Sequence, residues 1–189
     1  MAEIGMQYPV WAELTSESGN TLTYGNGIVL GKAVSANLNW QKEDNELYGD
    51  DQVAETDQSI TGYTLDLTTT EMNETAESKV LGYKKVGDTD EYEITDDDPP
   101  YGGTGYIRVI KRNKVSLYKA VWYPKLQFSA PNESSNTKQK SISWGTPTIN
   151  GKGLAAFDDA TGKAKFRKQQ VFATLAAAKS YLNGKANIS

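Results

Sequence analysis

Residues 106–123, YIRVIKRNKVSLYKAVWY, decide the fold class of this chain. Two runs rich in β-branched and aromatic residues, Tyr106–Ile110 and Val115–Tyr123, flank a short polar segment centred on Asn113. Asn tolerates the left-handed backbone of a tight turn, so the stretch predicts a β-hairpin. In the second strand, one face carries Val115, Leu117, Val121 and Tyr123, and the other carries Tyr118, Ala120 and Trp122. A strand that is apolar on both faces is either central in its sheet or covered by another subunit.

The same period of two continues on both sides of this hairpin. Apolar and polar residues alternate over Val34–Trp40 and again over Tyr63–Leu67, which predicts half-buried strands. Gln7–Leu14 and Ser141–Ile149 are further predicted strands, whereas residues 20–27 are rich in turn formers. Pro147 predicts an edge or a bulge, because proline cannot donate to a ladder.

Two segments have helical spacing instead. In Glu71–Tyr83 the apolar residues recur every three or four positions, and Thr68 with Glu71 predicts a capping box before a helix that ends near Gly82. Leu175–Leu182 predicts a second helix, with Thr174 as its N-cap and Gly184 at its end. Both helices are expected to pack against a sheet.

The chain is therefore predicted to be mainly β, a β-sandwich or partly closed barrel flanked by a short helix, with long loops. Residues 43–57 and 88–100 are so acidic that they are predicted to be exposed loops, and residues 132–140 form a polar loop. We divide the chain into a β-sandwich domain, residues 1–151, and a C-terminal strand–turn–helix extension, residues 152–189, that packs on the same domain or forms an appendage.

Composition narrows the possible chemistry. The chain has neither cysteine nor histidine, so disulfides, thiolate ligands and a Ser-His-Asp triad are excluded. We predict no enzyme and no catalytic, cofactor-binding or metal-binding residues. Asp96-Asp97-Asp98 does not have calcium-loop spacing, and the glycines at 102, 103 and 105 do not match a phosphate loop.

Charge is distributed unevenly along the chain. Residues 1–98 hold 21 acidic and 5 basic side chains, whereas residues 99–189 hold 3 acidic and 15 basic ones. Solvated faces explain this, and so does head-to-tail contact between acidic and basic surfaces of neighbouring copies. Alternation over Lys163–Lys168 predicts a basic strand with Lys163, Lys165 and Arg167 on one face, for which a solvated face or a subunit contact is favoured over phosphate binding.

No membrane association is predicted. Residues 1–10 have an acidic Glu3 where a signal peptide would be basic, and no run of 18 apolar residues occurs.

Five stretches follow one another along most of the chain. They are YPVWA at 8–12, LYGDDQVAE at 47–55, ITGYTLDL at 60–67, YKAVWYPKL at 118–126 and SWGTPTING at 143–151. In this order and spacing, the chain resembles the major tail protein, or tail tube protein, of phages with long non-contractile tails.

The resemblance implies a structural virion protein that forms stacked hexameric rings around a channel for the genome. It implies self-association, a tape measure protein in the lumen, and contacts with tail terminator and distal tail proteins. DNA would pass without specific binding, repelled by acidic residues that face the lumen. The implied location is the virion tail, assembled in the cytoplasm of the host bacterium.

In this family a long loop reaches neighbouring rings. Mapped onto this chain, the loop is residues 41–59, and the residues implied in inter-subunit or inter-ring contacts are Glu43, Asp44, Glu46, Tyr48, Asp50, Asp51, Glu55 and Asp57. The alternative from a different class is a monomeric β-sandwich module that binds carbohydrate or another surface. It would need exposed aromatic side chains, for which Trp122 and Trp144 are the candidates.

Overall fold

A computed structural model of the chain describes residues 2–19, 21–49, 52–89, 91–131, 146–158 and 161–189, with side chains for all of these except 2, 45–49, 52–57 and 158. The chain is mainly β, with two helices, as predicted. Its elements are β1 (Ala2–Ser18), β2 (Thr21–Tyr24), β3 (Ile28–Val29), β4 (Ala33–Gly49), β5 (Gln52–Thr69), α1 (Glu74–Leu81), β6 (Lys84–Lys85), β7 (Tyr92–Glu93), β8 (Tyr101–Arg112), β9 (Val115–Ser129), β10 (Thr148–Gly153), β11 (Ala156–Asp158), β12 (Lys163–Lys165), β13 (Lys168–Phe172) and α2 (Leu175–Ala186).

Within the described ranges, nine strands form one antiparallel sheet. Its main path runs β2-β1-β8-β9-β10-β5-β4, with β3 also paired to β1 and β13 also paired to β9. One side of β9 pairs with β8, while on the other side β13 joins residues 118–122 and β10 joins residues 126–129. Of the two predicted alternatives, a strand central in its sheet or one covered by another subunit, the structure shows the first, and the sheet branches along this strand.

The hairpin predicted around Asn113 is confirmed. The strands β8 and β9 pair up to Arg112 and Val115, and the two residues between them, Asn113 and Lys114, have φ of 50° and 67°. Positive φ at both positions defines a type I′ turn, whose twist matches that of the flanking strands.

A bulge in β9 lets both halves of the strand face the same core. Thr104 pairs with Tyr123 and Gly102 with Leu126, so β9 has one residue more than β8 between these pairs. Because side chains alternate along a strand, this extra residue changes which face the later positions occupy. Tyr123 and Leu126 consequently both reach the main core, and Pro124 is tolerated inside a central strand.

The two faces of the sheet are covered by different elements. The main core combines buried side chains of five strands and α1, among them Trp11, Tyr63, Leu65, Leu67, Tyr106, Val121, Tyr123, Leu126, Phe128, Ile149 and Val80. The second core lies under α2 and contains Val10, Ile107, Ala120, Trp122, Ala178, Leu182 and Ala186. The predicted helical flank is thus present on both faces.

The first helix begins later than predicted. Thr68 lies in β5, where it pairs with Thr148, so the predicted capping box of Thr68 and Glu71 is wrong. Asn73 is the N-cap instead, and its Oδ1 accepts a hydrogen bond of 2.8 Å from the backbone N–H of Ala76. Gly82 has a φ of 78° and ends the helix as predicted.

The second helix is longer than predicted. Thr174 is its N-cap, because its Oγ1 accepts from the backbone N–H of Ala177 at 3.3 Å. The helix passes through Gly184 to Ala186, and Asn187 closes it in the left-handed conformation. The prediction of Gly184 as the end is wrong, because Ala186 is a buried member of the second core.

Two other predictions need correction. The predicted polar loop over 132–140 and the first half of the predicted strand over 141–149 lie outside the described residues. Among the described residues, β10 begins at Thr148 and lies between β5 and β9, so Pro147 does not mark an edge strand. The carbonyl of Pro147 accepts from the N–H of Thr69 at 3.1 Å. Within residues 20–27, four residues form β2 rather than a turn.

The C-terminal part of the chain contacts the sheet directly. β13 pairs with β9, and α2 packs against β1, β8 and β9. Of the two helices in the described part of the chain, neither has the length and apolar character needed to cross a bilayer.

Candidate assembly surfaces

The predicted loop over residues 41–59 is wrong in its secondary structure, because these residues extend a hairpin. The strands β4 and β5 stay paired from Ala33 and Thr69 to Gly49 and Gln52. Beyond Gln41 and Gly62, neither strand has another partner in the sheet among the described residues. We call residues 42–60 the arm. Eight residue steps from Gln41 to Gly49 correspond to a length of about 27 Å.

All eight residues that the sequence implicated lie on the arm or in the two positions that connect its strands. Glu43 and Asp44 are exposed on β4. Glu46 and Tyr48 follow in β4, and Glu55 and Asp57 lie in β5, with side chains outside the described part. Asp50 and Asp51 lie outside the described residues altogether.

The arm is solvent-exposed wherever its side chains are described. The described side chains along it, Lys42, Glu43, Asp44, Gln58, Ser59 and Ile60, are exposed. Besides the backbone ladder, a side-chain hydrogen bond joins its two strands among the described residues, from Gln58 Nε2 to Asp44 Oδ1 at 3.3 Å. The arm contains seven acidic residues and one basic residue, Lys42. A two-stranded hairpin with a net acidic charge and no further strand beside it is only weakly stabilised in water.

The root of the arm is rigidly packed. A bulge at Thr61 separates the pair Gln41–Gly62 from the pair Lys42–Ile60. Just before it, the Trp40 ring meets the rings of Tyr63 and Phe166 edge-on, at centroid distances of 5.7 and 6.2 Å. Since bulges redirect strands, the arm leaves the sheet at a fixed place and in a direction set by this packing.

A basic cluster lies beside the root. Arg108 on β8 and Lys119 on β9 are directly opposite each other, and the guanidinium of Arg167 lies 5.5 Å from the centre of the Trp40 ring. We call Arg108, Lys119 and Arg167 the root cluster. Glu3 is the carboxylate at its margin, 3.4 Å from Arg108 Nη1.

The cluster is tied to the core by tyrosine hydroxyls. Arg108 Nη2 donates to the hydroxyl of Tyr106 at 3.2 Å, and that hydroxyl lies 3.2 Å from the hydroxyl of Tyr123. Burial, together with the neighbouring Tyr106, raises the pKa of Tyr123, so its hydroxyl stays protonated and can donate. Arg108 is therefore held in place, whereas its Nε is buried without a hydrogen-bond partner among the described residues.

Like charges in the cluster repel one another. Burial, and then the nearby Arg167 and Arg108, lowers the pKa of Lys119. Two cations directly opposite each other in a sheet are destabilising, and a single carboxylate offsets three of them only in part. The cluster is thus a site where an added anion is favoured.

Sequence reasoning missed the root cluster. It predicted one basic strand over Lys163–Lys168, but β12 ends at Lys165 and Arg167 belongs to the connection before β13. The sequence predicted the hairpin but not its register, and the observed two-residue turn is what places Arg108 opposite Lys119. The position of Arg167 depends on the long-range pairing of β13 with β9, for which the sequence has no local signal.

Open sheet edges provide further contact surface. The outer edge of β4 pairs with nothing in the described part of the chain, and Val34 on it is 50% exposed. On β13, which pairs only with β9 there, Val171 is 47% exposed and lies next to Lys119. Unpaired edges with exposed apolar side chains favour association with another chain.

Two surface grooves have volumes in the range of small-ligand sites. One, of about 420 Å³, lies between β2, Phe157 and the end of α2; the other, of about 530 Å³, lies over Thr64, Asp66, Gln127 and Asn150. The aromatic side chain at the second groove, Phe128, is buried in the core. Trp122 is 1% exposed, so it is wrong as the exposed platform of a carbohydrate module, and Trp144 lies outside the described residues.

The acidic residues 96–98 are exposed, and one is paired. Asp97 accepts hydrogen bonds from Lys84 and from the Thr95 hydroxyl, and the bond with Lys84 lowers the pKa of Asp97. In the described part of the chain no three acidic side chains converge into a cation site. Two residues of the predicted loop over 88–100, Tyr92 and Glu93, form β7, which pairs with β6 in a short hairpin.

Comparisons with known proteins give no assignment: no protein-family model matches the chain, and a search of curated proteins finds no match either.

Proposed function

We propose that this chain is a structural subunit whose copies polymerise, the major tail tube protein of a long-tailed phage. Copies form hexameric rings that stack around a channel, and the arm of one copy reaches a neighbouring copy. The observation that carries this proposal is the arm itself, about 27 Å of paired strand with seven acidic residues and one lysine, whose described side chains are all exposed.

The open edges of β4 and β13 support the proposal, because each can pair with a strand of another copy. The opposite charges of the two halves of the chain also support it, since a closed ring needs two different patches that fit each other. On this proposal the tube contains a tape measure protein, contacts terminator and distal tail proteins, and lets DNA pass without specific binding. Assembly takes place in the host cytoplasm and yields the virion tail.

The test compares the wild-type protein with an armless variant. Residues 43–59 are replaced by Asn-Gly, which joins Lys42 and Ile60, a directly opposed pair, through a two-residue turn. The wild-type protein, imaged by negative-stain electron microscopy at high concentration, is expected to form rings or tubes. The armless variant is expected to remain unstacked, with a free energy of unfolding within about 0.5 kcal/mol of the wild type, because the replaced side chains described here are exposed. Tubes formed equally well without the arm would contradict the role of the arm.

A further inference from the structure

We propose that the root cluster of one copy is the receptor for the acidic arm of a second copy. This inference rests on the proposed function and names the partner of the arm within the polymer. The occupant is a pair of carboxylates of the arm, and the receiving groups are Lys119 and Arg167, with Arg108 directly opposite Lys119.

Charge complementarity carries the first step. The arm has seven carboxylates and one lysine, and the root cluster has three cations and one carboxylate. These are the opposite charges that the uneven distribution along the sequence predicted for neighbouring copies. Carboxylates that approach Lys119 and Arg167 would offset their mutual repulsion and make charge-assisted hydrogen bonds.

The geometry carries the second step. Arg167 lies over Trp40, at the root of the arm of its own copy, and the arm pairs away from that point for about 27 Å. The far end of an arm therefore cannot contact its own root cluster without unpairing β4 from β5. A contact between the far end of an arm and a root cluster is therefore intermolecular, and because it joins two different patches, it repeats from copy to copy.

The surroundings of the cluster suit a docked strand. Val171 is exposed beside Lys119, and β13 has an open edge in the described part of the chain. The apolar residues Leu47, Tyr48 and Val53 occur among the acidic residues of the arm. A docked arm thus contacts both the apolar side chain of Val171 and the cations of the root cluster.

The experiment uses two charge-reversed variants of the full chain. The cluster variant is Lys119→Glu with Arg167→Glu, the arm variant is Asp50→Lys with Asp51→Lys, and the matched control is Lys152→Glu with Lys163→Glu, two exposed lysines outside the cluster. Folding is checked by circular dichroism and thermal melting. Assembly is measured by sedimentation velocity over a concentration series and by negative-stain imaging.

The expected result is that each reversed variant alone needs at least tenfold more protein to assemble, while the control assembles like the wild type. An equimolar mixture of the two folded variants is expected to recover assembly, because each arm then meets a cluster of opposite charge. Arg167→Lys is expected to retain most of the assembly.

Any of four outcomes would overturn the inference. If the cluster variant assembles at the wild-type concentration while the armless variant does not, the receptor is elsewhere and the proposed function stands. If the folded variants fail to recover when mixed, their charges do not pair. If the cluster variant assembles normally but loses salt-sensitive binding to a short DNA duplex, measured by fluorescence anisotropy, the occupant is phosphate. A wild-type protein that never assembles removes both proposals.

Discussion

At the scale of residues, Lys119 and Arg108 are an unfavourable pair of like charges, which a neighbouring copy would relieve on the proposed function. They face each other across β8 and β9, with Arg167 close by, and Glu3 offsets only part of the charge. Such repulsion costs the isolated subunit stability. A complementary copy would turn the same positions into an attractive contact, so stability of the subunit and strength of assembly respond to these residues in opposite directions.

We expect Lys119→Gln to stabilise the isolated subunit by roughly 0.2–1 kcal/mol, because it removes one of two directly opposed cations. The measurement is the free energy of unfolding in urea, at a concentration where the protein is unassembled. Lys152→Gln, an exposed lysine on β10, is the control and should change nothing measurable. A loss of stability in Lys119→Gln would contradict the repulsive arrangement.

The pH dependence of folding stability is an independent test of this prediction. Because the pKa of Lys119 is lowered on folding, the unfolded chain binds this proton more tightly than the folded subunit does. Raising the pH through the range between the lowered folded value and the ordinary lysine pKa of about 10.4 therefore stabilises the wild type. The advantage of Lys119→Gln should shrink over that range, and an advantage that grows with pH would be inconsistent with the lowered pKa.

At the scale of elements, the sequence predicted the strands and the turn that local alternation of apolar and polar residues indicates. The hairpin around Asn113 and the strands over 34–40 and 63–67 follow from alternation and turn chemistry, and the structure confirms them. The arm was predicted as a loop, because its charge indicates exposure but does not show that β4 and β5 continue to pair. The bulge at Pro124 and the pairing of β13 with β9 are long-range features, so the root cluster had no local signal.

The two helix ends show why local capping signals mislead. Thr68 and Glu71 have the spacing of a capping box, but the ladder that β5 makes with β4 and β10 holds Thr68 in a strand. Gly184 has the composition of a helix end, but the helix continues because Ala186 fits into the second core beside Gly27. In both places, long-range packing outweighs a local preference of about 1 kcal/mol.

Gly184→Ala is expected to stabilise the protein by roughly 0.5–1 kcal/mol, since a glycine inside a helix loses more backbone entropy than alanine. The added methyl group meets no atom within 4 Å. Thermal and urea unfolding measure the change. Gly27→Ala is the contrasting variant, because its added carbon would lie 2.1 Å from the carbonyl oxygen of Ala186 and is expected to destabilise the protein. A destabilised Gly184→Ala would restore Gly184 as a required helix end.

At the scale of the whole molecule, an acidic arm extends from the sheet and a basic cluster lies at its root. On the proposed function, identical copies join head to tail through these two surfaces. Such joining would use part of the charge contrast between the two halves of the chain. Open edges on β4 and β13 add backbone hydrogen bonds that a second chain can complete.

The most direct measurement of the central claim, that the working form is a polymer, is sedimentation velocity of the wild-type protein over a rising concentration series at low salt. We expect the 20.7 kDa species to be replaced by ring-sized and larger particles as concentration increases, and we expect added salt to dissociate these particles. A single species of subunit mass at every concentration, with tail initiation proteins also present, would contradict it.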